Sequence, residues 1–136
     1  MYSKDIKGLY NILASSYDDP GTSGSSISGM FSQIANENPF FTESKRTDVF
    51  LELVEYILKE NMANLYGAFD KKNDKEVKWE GSTDEVINML RNFIENLTPK
   101  KLQQAHIYFY EFEYCFLVWK IEWVELLKRF NLNKDY

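Results

Sequence analysis

Cysteine and histidine are almost absent from the sequence, which has one residue of each, Cys115 and His106. A single cysteine excludes a disulfide within the chain and a metal site built from several cysteines. A lone cysteine is typical of a reducing compartment, so we expect a cytoplasmic protein. Every catalytic arrangement that needs histidine would depend on His106 alone.

Long apolar runs and an excess of positive charge are also lacking. No window of about 18 residues is apolar and uncharged, so no transmembrane helix is expected. Residues 1–5 are not followed by an apolar segment, so we expect no signal peptide. Acidic residues number 21 against 16 basic ones, for a formal net charge of −5. Negative charge repels nucleic acid and attracts basic proteins, so we predict a protein partner, without nucleic acid or membrane binding.

The composition that is present favours a folded domain. The chain has 136 residues, and aromatic residues make up 16% of them. A chain of this length can bury a substantial core without disulfides or metals. We therefore predict a single domain over residues 1–136.

Apolar periodicity predicts a chain that is mostly helical. Amphipathic helical patterns cover residues 4–17, 27–34, 46–60, 98–109 and 122–130, and another follows Ser82. Ser82 and Glu85 have the spacing of a capping box at the start of that helix. Asn61 is a candidate C-terminal cap, and residues 131–136 are expected to form a frayed tail.

Two short segments predict strands. Residues 64–69 and 76–79 flank the polar stretch 70–75, which indicates a hairpin. Residues 107–123 fit both a strand and a helix, and we favour a third strand at about 113–121 because aromatic and β-branched residues are frequent there. The predicted fold class is α+β, mostly helical with about five helices and a small antiparallel β-sheet of two or three strands.

No segment carries a specific catalytic or cofactor-binding motif. The Gly/Ser-rich stretch 21–26 lacks the Gly-Lys-Ser/Thr ending of a phosphate-binding loop. The acidic residues of 70–74 do not match the register of a calcium loop. Cys115 lies in an aromatic run, which indicates a buried and unreactive thiol. We predict that the protein is not an enzyme and that it binds neither a metal nor a cofactor. The rival hypothesis is a small enzyme that uses His106, Glu111 or Cys115.

Three segments resemble a small bacterial family, one of the numbered domains of unknown function. They are RTDVFLELVEYILKE at 46–60, WEGSTDE at 79–85 and LVW at 117–119. The resemblance extends over residues 45–124 and consists mainly of packing and capping motifs. The sequence departs from the family near residues 113–116, where a Cys-Pro-Gly-like turn is expected.

In size and acidity, though not in any shared motif, the protein is similar to immunity proteins of bacterial polymorphic toxins, including contact-dependent growth inhibition systems. This resemblance implies a protein that binds the C-terminal domain of a cognate toxin, often a basic nuclease, and covers its active site. Asp18, Asp19, Glu111 and Glu113 are the candidate partner contacts. The alternative is a structural or regulatory protein-interaction module without a toxin partner, and a homodimer is one form that it could take.

Overall fold

The computed structural model describes residues 5–18, 20, 25–67, 77–96 and 116–132. Its helices are α1 (Leu9–Ser16), α2 (Ile27–Glu37), α3 (Glu43–Lys59), α4 (Thr83–Glu95) and α5 (Trp123–Arg129). Its strands are β1 (Ser25–Ser26), β2 (Ala63–Gly67), β3 (Val77–Lys78) and β4 (Phe116–Trp119). The mostly helical α+β fold is confirmed. The helix predicted over 98–109 lies outside the described residues.

The strands form one antiparallel sheet in the order β1-β4-β2-β3. Leu117 of β4 lies opposite Leu65 of β2, and both side chains are buried. The neighbouring pair, Phe116 and Tyr66, stacks with ring centroids 5.7 Å apart. The pairing of β2 with β3 confirms the hairpin, and β4 confirms a strand within 113–121.

Helix α3 lies at the centre of the core, where it packs against α2, α4 and β2. Its buried residues surround most of the helix: Thr47, Val49, Phe50, Leu51, Leu53, Val54 and Ile57. Phe50 meets Phe31 of α2 edge to face, with ring centroids 5.1 Å apart. One cluster of buried apolar side chains includes members from all five described helices. Only a narrow side of α3 is left for polar residues.

Side-chain caps fix the starts of two helices. Thr42 accepts a hydrogen bond from the backbone N–H of Lys45 at 3.1 Å, at the start of α3. Ser82 accepts from the N–H of Glu85 at 3.1 Å, at the start of α4. Each bond satisfies an N–H that has no partner within its helix. The predicted N-cap role of Ser82 is confirmed.

Asparagines in the left-handed conformation end α3 and α5. Asn61 has φ of 59° and Asn131 has φ of 55°. The N–H of Asn61 donates to the carbonyl of Leu58, and the N–H of Met62 donates to Ile57. The equivalent two bonds close α5, as in a Schellman motif. Asn61 therefore terminates its helix as predicted, whereas Asn131 belongs to an ordered cap and the prediction of a tail frayed from residue 131 was wrong there.

The first helix is shorter than its apolar spacing indicates. We predicted a helix over 4–17, but α1 begins only at Leu9, after Gly8 with φ of 71°. The buried side chain of Asn38 accepts from the N–H of Lys7 at 2.8 Å and donates to its carbonyl at 3.0 Å. These bonds engage the backbone of Lys7 outside a helix, which explains the later start.

Candidate functional site

The exposed side of α3 carries acidic residues at regular spacing. Asp48, Glu52 and Glu55 follow one another at intervals of four and three residues, and Lys59 continues the series. Residues at this spacing lie on one side of a helix. Because the opposite side of α3 is buried, this stripe is the main surface along which the longest described helix meets solvent.

Ion pairs connect the stripe to α4. Arg91 of α4 approaches Asp48 at 3.0 Å and Glu95, on its own helix, at 3.8 Å. Lys59 approaches Asp84 of α4 at 3.3 Å and Glu55 at 3.8 Å. These pairs are partly exposed, so each contributes little to stability. Their main consequence is that both cations are already shared between two carboxylates.

We call this surface the acidic face. It consists of Asp48, Glu52, Glu55 and Lys59 of α3 with Asp84, Arg91 and Glu95 of α4. Glu52 lies in the middle of the α3 stripe and is exposed, and its carboxylate has no hydrogen bond or ion pair with any other residue that the structure describes. Carboxylates outnumber cations on the face. Its field is negative and reaches about 8 Å into solvent at physiological salt.

The guanidinium of Arg46, near the start of α3, has a pKa shifted from its ordinary value. Burial lowers the pKa of its guanidinium, and the nearby Glu43 carboxylate opposes that effect. The guanidinium lies over the ring of Phe31, with Cζ 4.7 Å from the centroid. Arginine stays charged at any physiological pH. Arg46 therefore acts as a packed structural cation and does not neutralise the acidic face.

The contact residues predicted from the sequence are not part of this face. Asp18 lies just after α1 and is half-buried. Asp19, Glu111 and Glu113 lie outside the described residues. Their role in binding stays a prediction.

Sequence reasoning missed the acidic face although its signal was visible. Asp48, Glu52 and Glu55 fall outside the apolar stripe of residues 46–60, a pattern that by itself indicates only the solvated side of an amphipathic helix. The acidic side of α3 forms a candidate site because α4 places Asp84 and Glu95 beside it. That contact between helices distant in sequence is a tertiary feature, so periodicity cannot reveal it.

The described residues show no metal-binding cluster. No group of three or more histidine, cysteine, aspartate or glutamate side chains within these ranges is arranged to hold a metal ion. His106, Glu111 and Cys115, on which the rival enzyme reading depends, lie outside them. Among the helices that the structure describes, none combines the length and apolar character needed to cross a membrane.

Comparisons with known proteins supply no relative for this chain. No family model, no curated protein and no solved structure matches it. The functional argument therefore rests on the charge, exposure and geometry of the chain's own residues.

Proposed function

We propose that this protein is an immunity protein, which binds the toxic domain of a cognate bacterial toxin and neutralises it by covering its active site. It acts in the cytoplasm by binding alone, with neither a catalytic step nor a cofactor. The observation that carries the proposal is the acidic face, where exposed Glu52 lies among carboxylates whose two neighbouring cations are already paired.

An acidic face suits a nuclease as the partner. Enzymes that act on nucleic acids carry basic surfaces, because they must neutralise phosphates. A negative surface on the inhibitor accelerates the encounter with such an enzyme and occupies the positive groove that the substrate needs. Fast association matters to an immunity protein, because a free toxin damages the cell before it is bound.

The protein is large enough for inhibition by coverage. Its accessible surface is 7921 Å², and a standard protein interface takes about 800 Å² from each partner. Such an interface uses about a tenth of the surface of the chain.

The test is growth rescue by co-expression. The toxic C-terminal domain of the effector encoded beside this gene is produced in a sensitive host, with and without the protein. We expect growth to be restored and a complex of the two proteins to be isolated by gel filtration. Continued toxicity, with an active toxin and a folded protein both demonstrated in the cells, would contradict the proposal.

One observation favours the alternative of an interaction module that forms a homodimer. Val124 of α5 is 57% exposed, next to the half-buried Trp123. Apolar side chains at a surface are common in monomers but are also used in dimer interfaces. The solution mass separates the two functions: a stable dimer that neither binds nor neutralises the toxin supports the module, and a monomer that forms a complex with the toxin supports immunity.

A further inference from the structure

Phe40, in the connection between α2 and α3, is almost fully exposed. Its relative exposure is 94%, against 57% for the other large exposed apolar residue among those described, Val124. A phenylalanine side chain in water forgoes about 2 kcal/mol that burial would provide. The fold gains nothing from burial of an aromatic ring at this position, so the ring is available for contact with a partner.

The backbone presents Phe40 at the corner of a tight turn. The N–H of Phe41 donates to the carbonyl of Asn38 at 3.1 Å, which closes a four-residue turn with Pro39 and Phe40 at its centre. Phe40 has no positive φ, so the turn is of type I. Asparagine at the first position and proline at the second are the residues that this turn prefers.

Both ends of the turn are anchored. Asn38 is buried and bonds the backbone of Lys7 through its side chain. Phe41 packs against the core, and Nζ of Lys45 lies 5.7 Å from the centre of its ring. Pro39 removes further backbone freedom. Phe40 is thus an exposed ring on a rigid support, and a partner that binds it pays little ordering entropy.

The turn and the acidic face are continuous. Lys45 precedes Asp48 by three residues and Glu52 by seven, so it lies on the same side of α3. Its Nζ lies over the ring of Phe41, the neighbour of Phe40 in the turn. From Glu43, the first residue of α3, to Glu52 is about 14 Å along the axis. An interface of standard size, roughly 30 Å across, therefore covers both the ring and the carboxylates.

We propose that Phe40 is the apolar anchor of the toxin interface, inserted into an apolar pocket of the toxin domain whose rim is basic. This inference rests on the proposed function and deepens it. Charge selects the occupant: a second copy of this chain carries the same net charge of −5 and would bring one acidic face towards another. A basic toxin domain instead offers an apolar pocket to Phe40 and positive charge to the acidic face. This is the usual pattern of an apolar hot spot surrounded by polar contacts.

The experiment measures the dissociation rate of the purified complex with the toxin domain for four forms of the protein. Phe40→Ala should dissociate roughly thirtyfold faster than wild type with little change in association rate, as expected for the loss of one hot-spot side chain. Phe40→Trp, which keeps an aromatic anchor, should recover a slow rate. Val124→Ala, the same kind of truncation on α5, should match wild type. Thermal unfolding of each free protein shows whether the fold is unchanged.

The outcomes separate this inference from the proposed function. If wild type binds the toxin domain and Phe40→Ala dissociates no faster, the anchor is refuted and the immunity proposal stands. If wild type does not bind an active toxin domain, both are refuted. If wild type is a dimer that Phe40→Ala converts to a monomer, Phe40 serves self-association and the toxin pocket is refuted.

Discussion

Two tryptophans of this protein each donate a hydrogen bond from the indole N–H to a backbone carbonyl, one in a buried site and one in an exposed site. Trp119 of β4 is 1% exposed, and its Nε1 donates to the carbonyl of Ser16 at 2.7 Å, at the end of α1. Trp79 is half-buried, and its Nε1 donates to the carbonyl of Ser82 at 2.9 Å. A buried carbonyl that loses its donor finds no water, whereas an exposed one does.

This difference predicts the effect of replacing each tryptophan with phenylalanine. Trp119→Phe leaves the Ser16 carbonyl buried without its indole donor and opens a small cavity, so the free energy of unfolding should fall by about 2 kcal/mol or more. Trp79→Phe, the matched change, should lower it by about 1 kcal/mol or less, since water replaces the indole at Ser82. Urea denaturation measures both. Equal losses would show that burial of the acceptor is not what matters.

The side chain of Asn38 forms hydrogen bonds with backbone groups that usually pair with other backbone groups. It accepts from the N–H of Lys7 and donates to the carbonyls of Lys7 and Ile34. Asn38→Ala should lower the free energy of unfolding by about 2–3 kcal/mol, because polar groups of a buried site lose their partners. Asn38→Asp keeps the acceptor but turns a carboxylate oxygen towards two carbonyls, so it should be no more stable than the alanine variant. Chemical denaturation that finds Asn38→Asp as stable as wild type would contradict this account.

Among the elements, α5 depends on its left-handed cap. Asn131 is exposed and has φ of 55°, a conformation in which a Cβ costs energy that glycine avoids and asparagine largely tolerates. Asn131→Ala should lower the free energy of unfolding by about 1 kcal/mol, and Asn131→Gly should match or exceed wild type. Thermal unfolding of the two variants decides the point. A glycine variant less stable than the alanine variant would mean that the asparagine side chain itself holds the cap.

The elements predicted from sequence are those whose signal is local. Helix α4 follows a Ser-Thr-Asp-Glu cap and an apolar stripe, so its start at Thr83 could be predicted. Strand β1 could not, because Ser25 and Ser26 become a strand only through pairing with Leu117 and Phe116. The late start of α1 likewise depends on a side chain of another element. Local sequence determines which segments are helical and where their caps lie, whereas tertiary contacts determine which strands pair.

At the scale of the whole molecule, the sequence predicted the sign of the charge but not its place. The net charge of −5 indicated a basic partner. The chosen contacts, Asp18, Asp19, Glu111 and Glu113, came from regions whose arrangement sequence cannot show. The acidic face required knowing that α3 and α4 pack together, and the role of Phe40 required knowing that its ring is exposed. Both are properties of the assembled surface.

The central claim is that the acidic face steers this protein onto a basic toxin domain. Two charge reversals of equal size test it: Glu52→Lys on the face, and Glu122→Lys just before α5, another exposed carboxylate without a partner among the described residues. Glu52→Lys should remain folded, since the new lysine lies beside Asp48 and Glu55, one turn away on either side of it.

The measurement is the association rate with the toxin domain by stopped flow, from about 0.02 M to about 0.5 M salt. We predict a rate for wild type that falls steeply as salt rises, a rate for Glu52→Lys that is roughly tenfold lower at low salt, and a smaller loss for Glu122→Lys. A rate that is indifferent to salt, or an equal loss for the two reversals, would contradict steering by this face.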